Sequence, residues 1–276
     1  MKKRMQIAAM LLAGVLCFCG AAMADGLDAF KGKSGTIEIA GGTAHIPVMK
    51  EAAKRIMTAN PDIRITVAGG GSGVGIQKVG ESLVDIGNSG RPVSEAENAK
   101  YGLVSFPFAV DGVATVVAAD NPVEELTAEQ IRKIFAGEIT NWKDVGGKDA
   151  AIHLYTRDEA SGTRAVYWKK LLKKGAIAPS ANVVASNGAM KSAVSRDPDA
   201  IGYVSIGHLD KTVKAPKLDG IVVTQETAKD GSYPVVRKLY MNTKGEPSGI
   251  VKLFIGYVMG PDCVDAIIDS GYIPTH

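Results

Sequence analysis

The sequence predicts an α/β fold, on three observations. Alternating apolar runs such as Thr36-Ile37-Glu38-Ile39-Ala40 and Ile63-Arg64-Ile65-Thr66-Val67 read as strands. Each ends in a glycine-rich turn, Gly41-Gly42-Thr43-Ala44 after the first and Gly69-Gly70-Gly71-Ser72-Gly73-Val74-Gly75 after the second. Each turn then runs into a helical pattern, and repeated strand–turn–helix units build sheets whose ligands sit beyond the carboxyl ends of the strands.

The elements follow in order. Pro47 opens a helix with Val48, Ala52, Ala53, Ile56 and Met57 on one face. A second, short helix runs from the Gly69 loop to about Leu83, and Val84-Asp85-Ile86-Gly87 is expected to be a third strand ending in a turn. Gly112 to Ala118 is apolar throughout, a buried strand, and Leu126-Thr127-Ala128-Glu129-Gln130-Ile131 starts a helix with a capping box at Thr127 and Gln130. Ile152 to Thr156 and Ala200 to Val204 read as further strands, Tyr233 to Met241 as an extended run, and Gly249 to Met259 as a helix. Trp142 and Trp168 are expected to be packing residues.

Composition narrows the class. Lys2, Lys3 and Arg4 precede an apolar stretch to about Cys19 and then Ala22-Met23-Ala24, which together read as an export signal over residues 1–24. Bulky Leu16 and Phe18 before Cys17 and Cys19 argue against a lipid anchor, so the product is expected to be periplasmic or secreted. Three of the 32 basic groups and none of the 29 acidic ones lie in this leader, so the remainder is neutral. Nucleic acid as a partner needs a dense basic face and is not expected. Past the leader no apolar run approaches the roughly 18 residues of a membrane span. Cys263 alone follows the leader, so no disulfide is expected.

The most informative stretch is Arg157-Asp158-Glu159-Ala160-Ser161-Gly162-Thr163, followed by an amphipathic pattern from Arg164 to Leu172. A helix beginning there presents unpaired amides and a positive dipole end at Ser161-Gly162-Thr163, and a guanidinium four residues upstream adds a bidentate oxygen fork. The plainer alternative has Ser161 merely capping the helix and Arg157 paired with Asp158 or Glu159 in solvent. The Gly69 loop fits neither the dinucleotide nor the NTPase glycine spacing, and Ser72 and Ser161 lack the Gly-x-Ser-x-Gly frame of a hydrolase elbow. His45, His153, His208 and His276 show no metal spacing, so no metal or cofactor is expected.

Taken in order, Gly41-Gly42-Thr43-Ala44-His45-Ile46-Pro47, Gly69-Gly70-Gly71-Ser72-Gly73, Val84-Asp85-Ile86-Gly87, the central segment Ile134 to Gly147, Arg157-x-x-x-Ser161-Gly162-Thr163 and Ala200 to Val204 resemble the phosphate-binding proteins of bacterial phosphate ABC importers. The similarity covers nearly all of residues 35–275. It implies a type II periplasmic-binding-protein fold, two α/β lobes joined by two crossing strands with the ligand in the cleft. Lobe one would be 25–111 plus 235–276 and lobe two 112–234. The resemblance further implies a monomeric, non-enzymatic receptor that hands inorganic phosphate to a membrane permease. Carried over by position, Thr43, Ala44, Ser72 and Asp85 would contact the anion from lobe one and Arg157, Ser161, Gly162 and Thr163 from lobe two. Ala44 and His45 stand where relatives often show Thr and Val, leaving Ala44 its amide alone, and Gly90 replaces a frequent Ser. Arg91 is open between pairing with Asp85, reaching the ligand and lying on the surface.

A carboxylate in an anion pocket repels its ligand unless the ligand carries a proton. Asp85 is therefore expected to accept a phosphate hydroxyl and reject sulfate, which has none. Two other readings stay open: the same scaffold binding sulfate, molybdate or tungstate, and a secreted phosphoryl-transfer or hydrolytic enzyme with Ser161 as nucleophile.

Overall fold

The computed structural model describes residues 26–275; the predicted export signal lies outside the described residues. After a 3-10 turn at Gly26–Phe30, β1 (Gly35–Gly41), α1 (Ile46–Ala59), β2 (Ile63–Gly70), α2 (Ser72–Gly80) and β3 (Ile86–Ser89) form the first α/β unit. β1 pairs in parallel with both β2 and β3. α1 buries Val48, Met49, Ala52, Ala53 and Ile56 against this sheet, the face its apolar spacing predicts.

α3 (Glu95–Tyr101) leads into β4 (Leu103–Ala118), a sixteen-residue strand that is buried on both faces from Gly112 onward. The second unit comprises β5 (Glu125–Leu126), α4 (Ala128–Ala136), β6 (His153–Arg157), α5 (Gly162–Lys170), β7 (Asn182–Val184), α6 (Asn187–Arg196), β8 (Ala200–Ser205), β9 (Val213–Lys214), β10 (Lys217–Leu218) and α7 (Gln225–Asp230). The chain returns along β11 (Val236–Lys244) and closes with α8 (Gly249–Val258), α9 (Val264–Asp269) and β12 (Ile273–Pro274). The capping box predicted at Thr127 and Gln130 is present at the start of α4.

The main sheet runs β2-β1-β3-β11-β4-β8-β6-β7. β4 is its spine: Leu103 to Gly112 pair antiparallel with β11, and Val113 to Val117 pair antiparallel with β8. One strand thus carries hydrogen bonds to both halves, which lean on separate helices. In the second half Tyr167 stacks on Tyr203 at 4.3 Å between centroids and meets Phe135 edge-on at 5.5 Å. Both phenols are satisfied, Tyr167 with the Thr115 hydroxyl at 2.7 Å and Tyr203 with the Thr156 hydroxyl at 2.9 Å, as buried polar tips must be. Trp142 is buried and its indole donates to the Asp199 carbonyl at 3.0 Å. Cys263 is a buried free thiol.

Candidate anion-binding site

The carboxyl ends of β1, β2 and β3 meet the Arg157 loop across a narrow cleft. Close main-chain approach is what the glycines there supply. Gly41 has φ 125°, and a Cβ on it would sit 2.7 Å from the Gly75 Cα. Gly71 has φ 91°, and a Cβ on it would sit 2.8 Å from the Ala160 carbonyl across the cleft. Both positions therefore need glycine for conformation and for space. The Gly73 amide reaches the same Ala160 carbonyl at 2.9 Å, so the two halves touch through backbone.

Between them lies a small cavity with about 180 Å³ of empty space. Thr43, Ala44, Ser72 and Gly90 wall it on one side, and Arg157, Ser161, Gly162 and Thr163 on the other. The starts of α2 and α5 point their first turns at it, where amides have no helical acceptor. Ser161 is the N-cap of α5 and accepts the Arg164 amide at 3.1 Å. Capping and lining the cavity are one arrangement, because the cap fixes the hydroxyl at the mouth of the helix.

Arg157 is positioned from behind. Its main-chain amide donates to the Tyr203 hydroxyl at 3.1 Å and its Nη2 to the Ala185 carbonyl at 2.9 Å. The side chain is only 2% exposed, yet Nε and Nη1 are buried without a protein partner. Burial holds this guanidinium below its ordinary pKa range, and the charge on Arg237 pushes the same way. Such donors are costly unless an acceptor occupies the cavity they line. The solvent-paired alternative for Arg157 is thereby excluded.

Arg237 is the second cation in the wall. It stands directly across from Asp111 in the β11–β4 pairing, and its Nε donates to the Asp111 carboxylate at 2.7 Å. Its Nη2 donates to the Thr163 hydroxyl at 3.0 Å. The other Asp111 oxygen accepts the Ser205 hydroxyl at 2.8 Å; burial pushes this carboxyl above its ordinary range while Arg237 draws it back. Asn187 ties the halves together: its main-chain and side-chain amides donate to the Thr43 hydroxyl at 3.2 and 3.0 Å. Its Nδ2 also reaches the Thr163 hydroxyl at 3.4 Å. His208 donates from Nε2 to the Thr43 carbonyl at 3.2 Å, and burial lowers its pKa to about 4. His45 lines the cavity, and its Nδ1 faces the Gly42 carbonyl at 3.1 Å. Burial first, then the charge on Arg237, lowers its pKa to about 3, so both rings are neutral.

Seven of the eight predicted residues line this cavity: Thr43, Ala44, Ser72, Arg157, Ser161, Gly162 and Thr163. Asp85 does not. β3 begins at Ile86, so Asp85 precedes the strand, and the cavity lies past its other end at Gly90. Five residue steps along the strand separate Asp85 from Gly90, roughly 16 Å at about 3.3 Å per residue. The Asp85 side chain is exposed and accepts the Glu38 amide at 2.8 Å, stitching β3 to β1. Arg91 does not reach the cavity either; it forms a two-pronged pair with Glu97 at 2.7 and 2.8 Å, which lowers the Glu97 pKa to about 2.

Arg237 is absent from the sequence reading, yet a signal exists for it. Asp111 is a lone carboxylate inside the run Phe108 to Ala118, and a buried carboxylate in a strand demands a cation from the strand beside it. Among the described residues one cluster, His153 with Asp197 and Asp199, has three metal-type ligand atoms within 4.8 Å of one another. It lies outside the cleft, and Asp197 is already bonded to His153 and Tyr155.

Two lobes hung on shared strands, with helix starts and guanidiniums converging on a small cavity between them, have the architecture of the type II periplasmic binding proteins. Residues 31–262 match the PBP superfamily domain. The chain belongs to that superfamily and, within it, to the PstS family of phosphate-binding proteins. It is 37% identical over 272 residues to the phosphate-binding protein PstS of Bacillus subtilis, covering 96% of this chain and 90% of that one. A Clostridium perfringens phosphate ABC-transporter substrate-binding protein with bound phosphate superposes with a TM-score of 0.83 at 32% identity, covering 88% of this chain and all of that one. An ABC-type phosphate transport receptor from Vibrio cholerae gives 0.69 at 34% identity, over 86% of this chain and 99% of that one.

Proposed function

We propose that this chain captures inorganic phosphate outside the cytoplasm and delivers it to the permease of an ABC importer. The observation that carries the reading is the pair of buried, unpartnered donors on Arg157, a residue in the wall of a small cavity. The names of the relatives support phosphate as the ligand and an importer as its destination. Thr43, Ala44, Ser72, Arg157, Ser161, Gly162 and Thr163 are the proposed ligands, with Arg237 added. The proposed lobes are 25–111 plus 235–276 and 112–234, hinged on β4 and β11.

A binding role rather than turnover is supported by the surroundings of Ser161. Its hydroxyl oxygen accepts an amide, and the charged neighbours in the cavity wall are guanidiniums, which cannot take its proton. Calorimetry of the ligand-stripped protein against phosphate, with a turnover assay on a phosphate monoester, tests the proposal. Tight binding without turnover is expected. Failure to bind phosphate, or hydrolysis of the ester, refutes it.

A further inference from the structure

A second, larger opening lies between the two halves of the molecule. It is a groove with about 1190 Å³ of empty space, and Arg237 lines both it and the anion cavity. The segment from Arg91 to Ser94 walls it on one side and α5 on the other, and β11 is its floor. The groove exists because the sheet has a gap there. β4 pairs with β11 from Val236 to Lys244, but β3 pairs only with Tyr240 to Asn242. Past Ser89 the chain leaves the sheet through Arg91 and Pro92, and a proline has no amide to give a ladder. From Val236 to Leu239, one edge of β11 is therefore without a neighbouring strand among the described residues.

The ladder on the other edge fixes which main-chain groups the gap receives. The Val113 amide donates to the Val235 carbonyl at 2.7 Å, and alternate residues of an antiparallel strand bond to the same neighbour. Val235, Arg237 and Leu239 thus turn their amides and carbonyls to β4, and Val236 and Lys238 turn theirs to the groove. Val236 is half-buried and Lys238 exposed.

The walls are apolar and positively charged. Pro92, Val93, Ala165, Val166 and Tyr240 supply the apolar surface. Arg91 is neutralised by Glu97 and Arg237 by Asp111. Lys169, Lys170 and Lys238 also line the groove, and among the described residues none of them forms an ion pair. Burial first, then the charge on Lys169, holds the Lys170 ammonium below its ordinary pKa range. An occupant that matches this surface carries apolar groups, negative charge and a row of main-chain donors and acceptors.

We propose that the groove docks an extended acidic segment of a partner protein, which adds to the free edge of β11 as a short strand, lays apolar side chains between α5 and the Arg91–Ser94 segment, and meets the three lysines with its carboxylates. A small organic anion would use the apolar walls and the charge but leave the edge of β11 unpaired. Docking there is independent of which anion fills the cavity.

Fluorescence anisotropy of a labelled, capped peptide of alternating aspartate and valine, titrated with the protein in phosphate buffer, supplies the test. Saturable binding is expected, and the same peptide with lysine for aspartate should bind at least about tenfold more weakly. N-methylating the peptide amides along one edge of its strand should cost about tenfold or more, and along the other edge little, because a single edge meets β11. Lys169→Glu combined with Lys238→Glu should weaken binding by about tenfold or more while the unfolding midpoint changes little. No saturable binding, equal binding of the lysine peptide, an unchanged affinity in the double variant, or indifference to which amides are methylated overturns strand docking. Indifference to methylation together with displacement of the peptide by decanoate would instead assign the groove to a small organic anion.

Discussion

Replacing Arg157 with Met keeps most of the buried stem and removes every donor the cavity expects from this side chain. The structure sets two opposite consequences. In the ligand-free protein the guanidinium is desolvated, lies within the field of Arg237 and leaves Nε and Nη1 unpartnered. Arg157→Met should therefore cost the ligand-free fold nothing and is expected to raise its unfolding midpoint, as replacing buried charges with apolar groups of similar volume often does. Binding should suffer. Truncating one partner of a buried hydrogen-bonded charge pair costs about 2–5 kcal/mol, which is roughly 30-fold to a few thousandfold in Kd. The two effects separate in one assay. Thermal unfolding with and without phosphate should show the wild type gaining about 2.7 kcal/mol at a ligand concentration of about 100 Kd, while the variant at that same concentration gains little. Calorimetry then gives the loss directly. Wild-type affinity in Arg157→Met would refute the assignment of the site. A ligand-free variant less stable by more than about 2 kcal/mol would refute the claim that the guanidinium is strained by burial.

Three further outcomes are expected. Asp111→Ala strands Arg237 in a buried position without its counter-charge and should cost about 3–5 kcal/mol in urea unfolding of the ligand-free protein, far above the typical point mutant. Asp85→Ala should leave phosphate affinity within about twofold and lose only about 0.5–1.5 kcal/mol of stability with the Glu38 hydrogen bond; a changed phosphate-to-sulfate ratio would place Asp85 in the cavity after all. His45 and His208 have folded pKa values of about 3 and about 4, below their ordinary 6.5. The unfolded chain then binds protons that the folded chain refuses, so stability should be level above about pH 6.5 and fall as the pH drops towards 4. The slope is about 1.4 kcal/mol per pH unit for each histidine. Urea midpoints across this range, flattened in a His45→Gln, His208→Gln double variant, are the measure, and an unchanged slope in that variant would assign the acid sensitivity elsewhere.

The sequence by itself determined the local elements and one jaw of the site. Periodicity and caps placed β1, α1, α4 and α5, because apolar spacing and a capping hydroxyl act within a turn or two of the chain. The Arg157-x-x-x-Ser161-Gly162-Thr163 stretch announced anion chemistry for the same reason: a strand end, a cap and a helix start are all local. Only the tertiary structure decided which distant residues join that jaw. Arg237 enters because β11 lies against β4 in a register that sets it opposite Asp111, and no local pattern encodes a pairing across 126 residues. Asp85 leaves because a two-residue shift in where β3 begins puts it at the amino end of a strand whose ligand end is the other one. The sense of each hydroxyl, donor or acceptor, was likewise beyond the sequence. It depends on which donors reach it, and for Thr43 and Thr163 those come from Asn187 and Arg237, distant in the chain and brought near only by the tertiary fold.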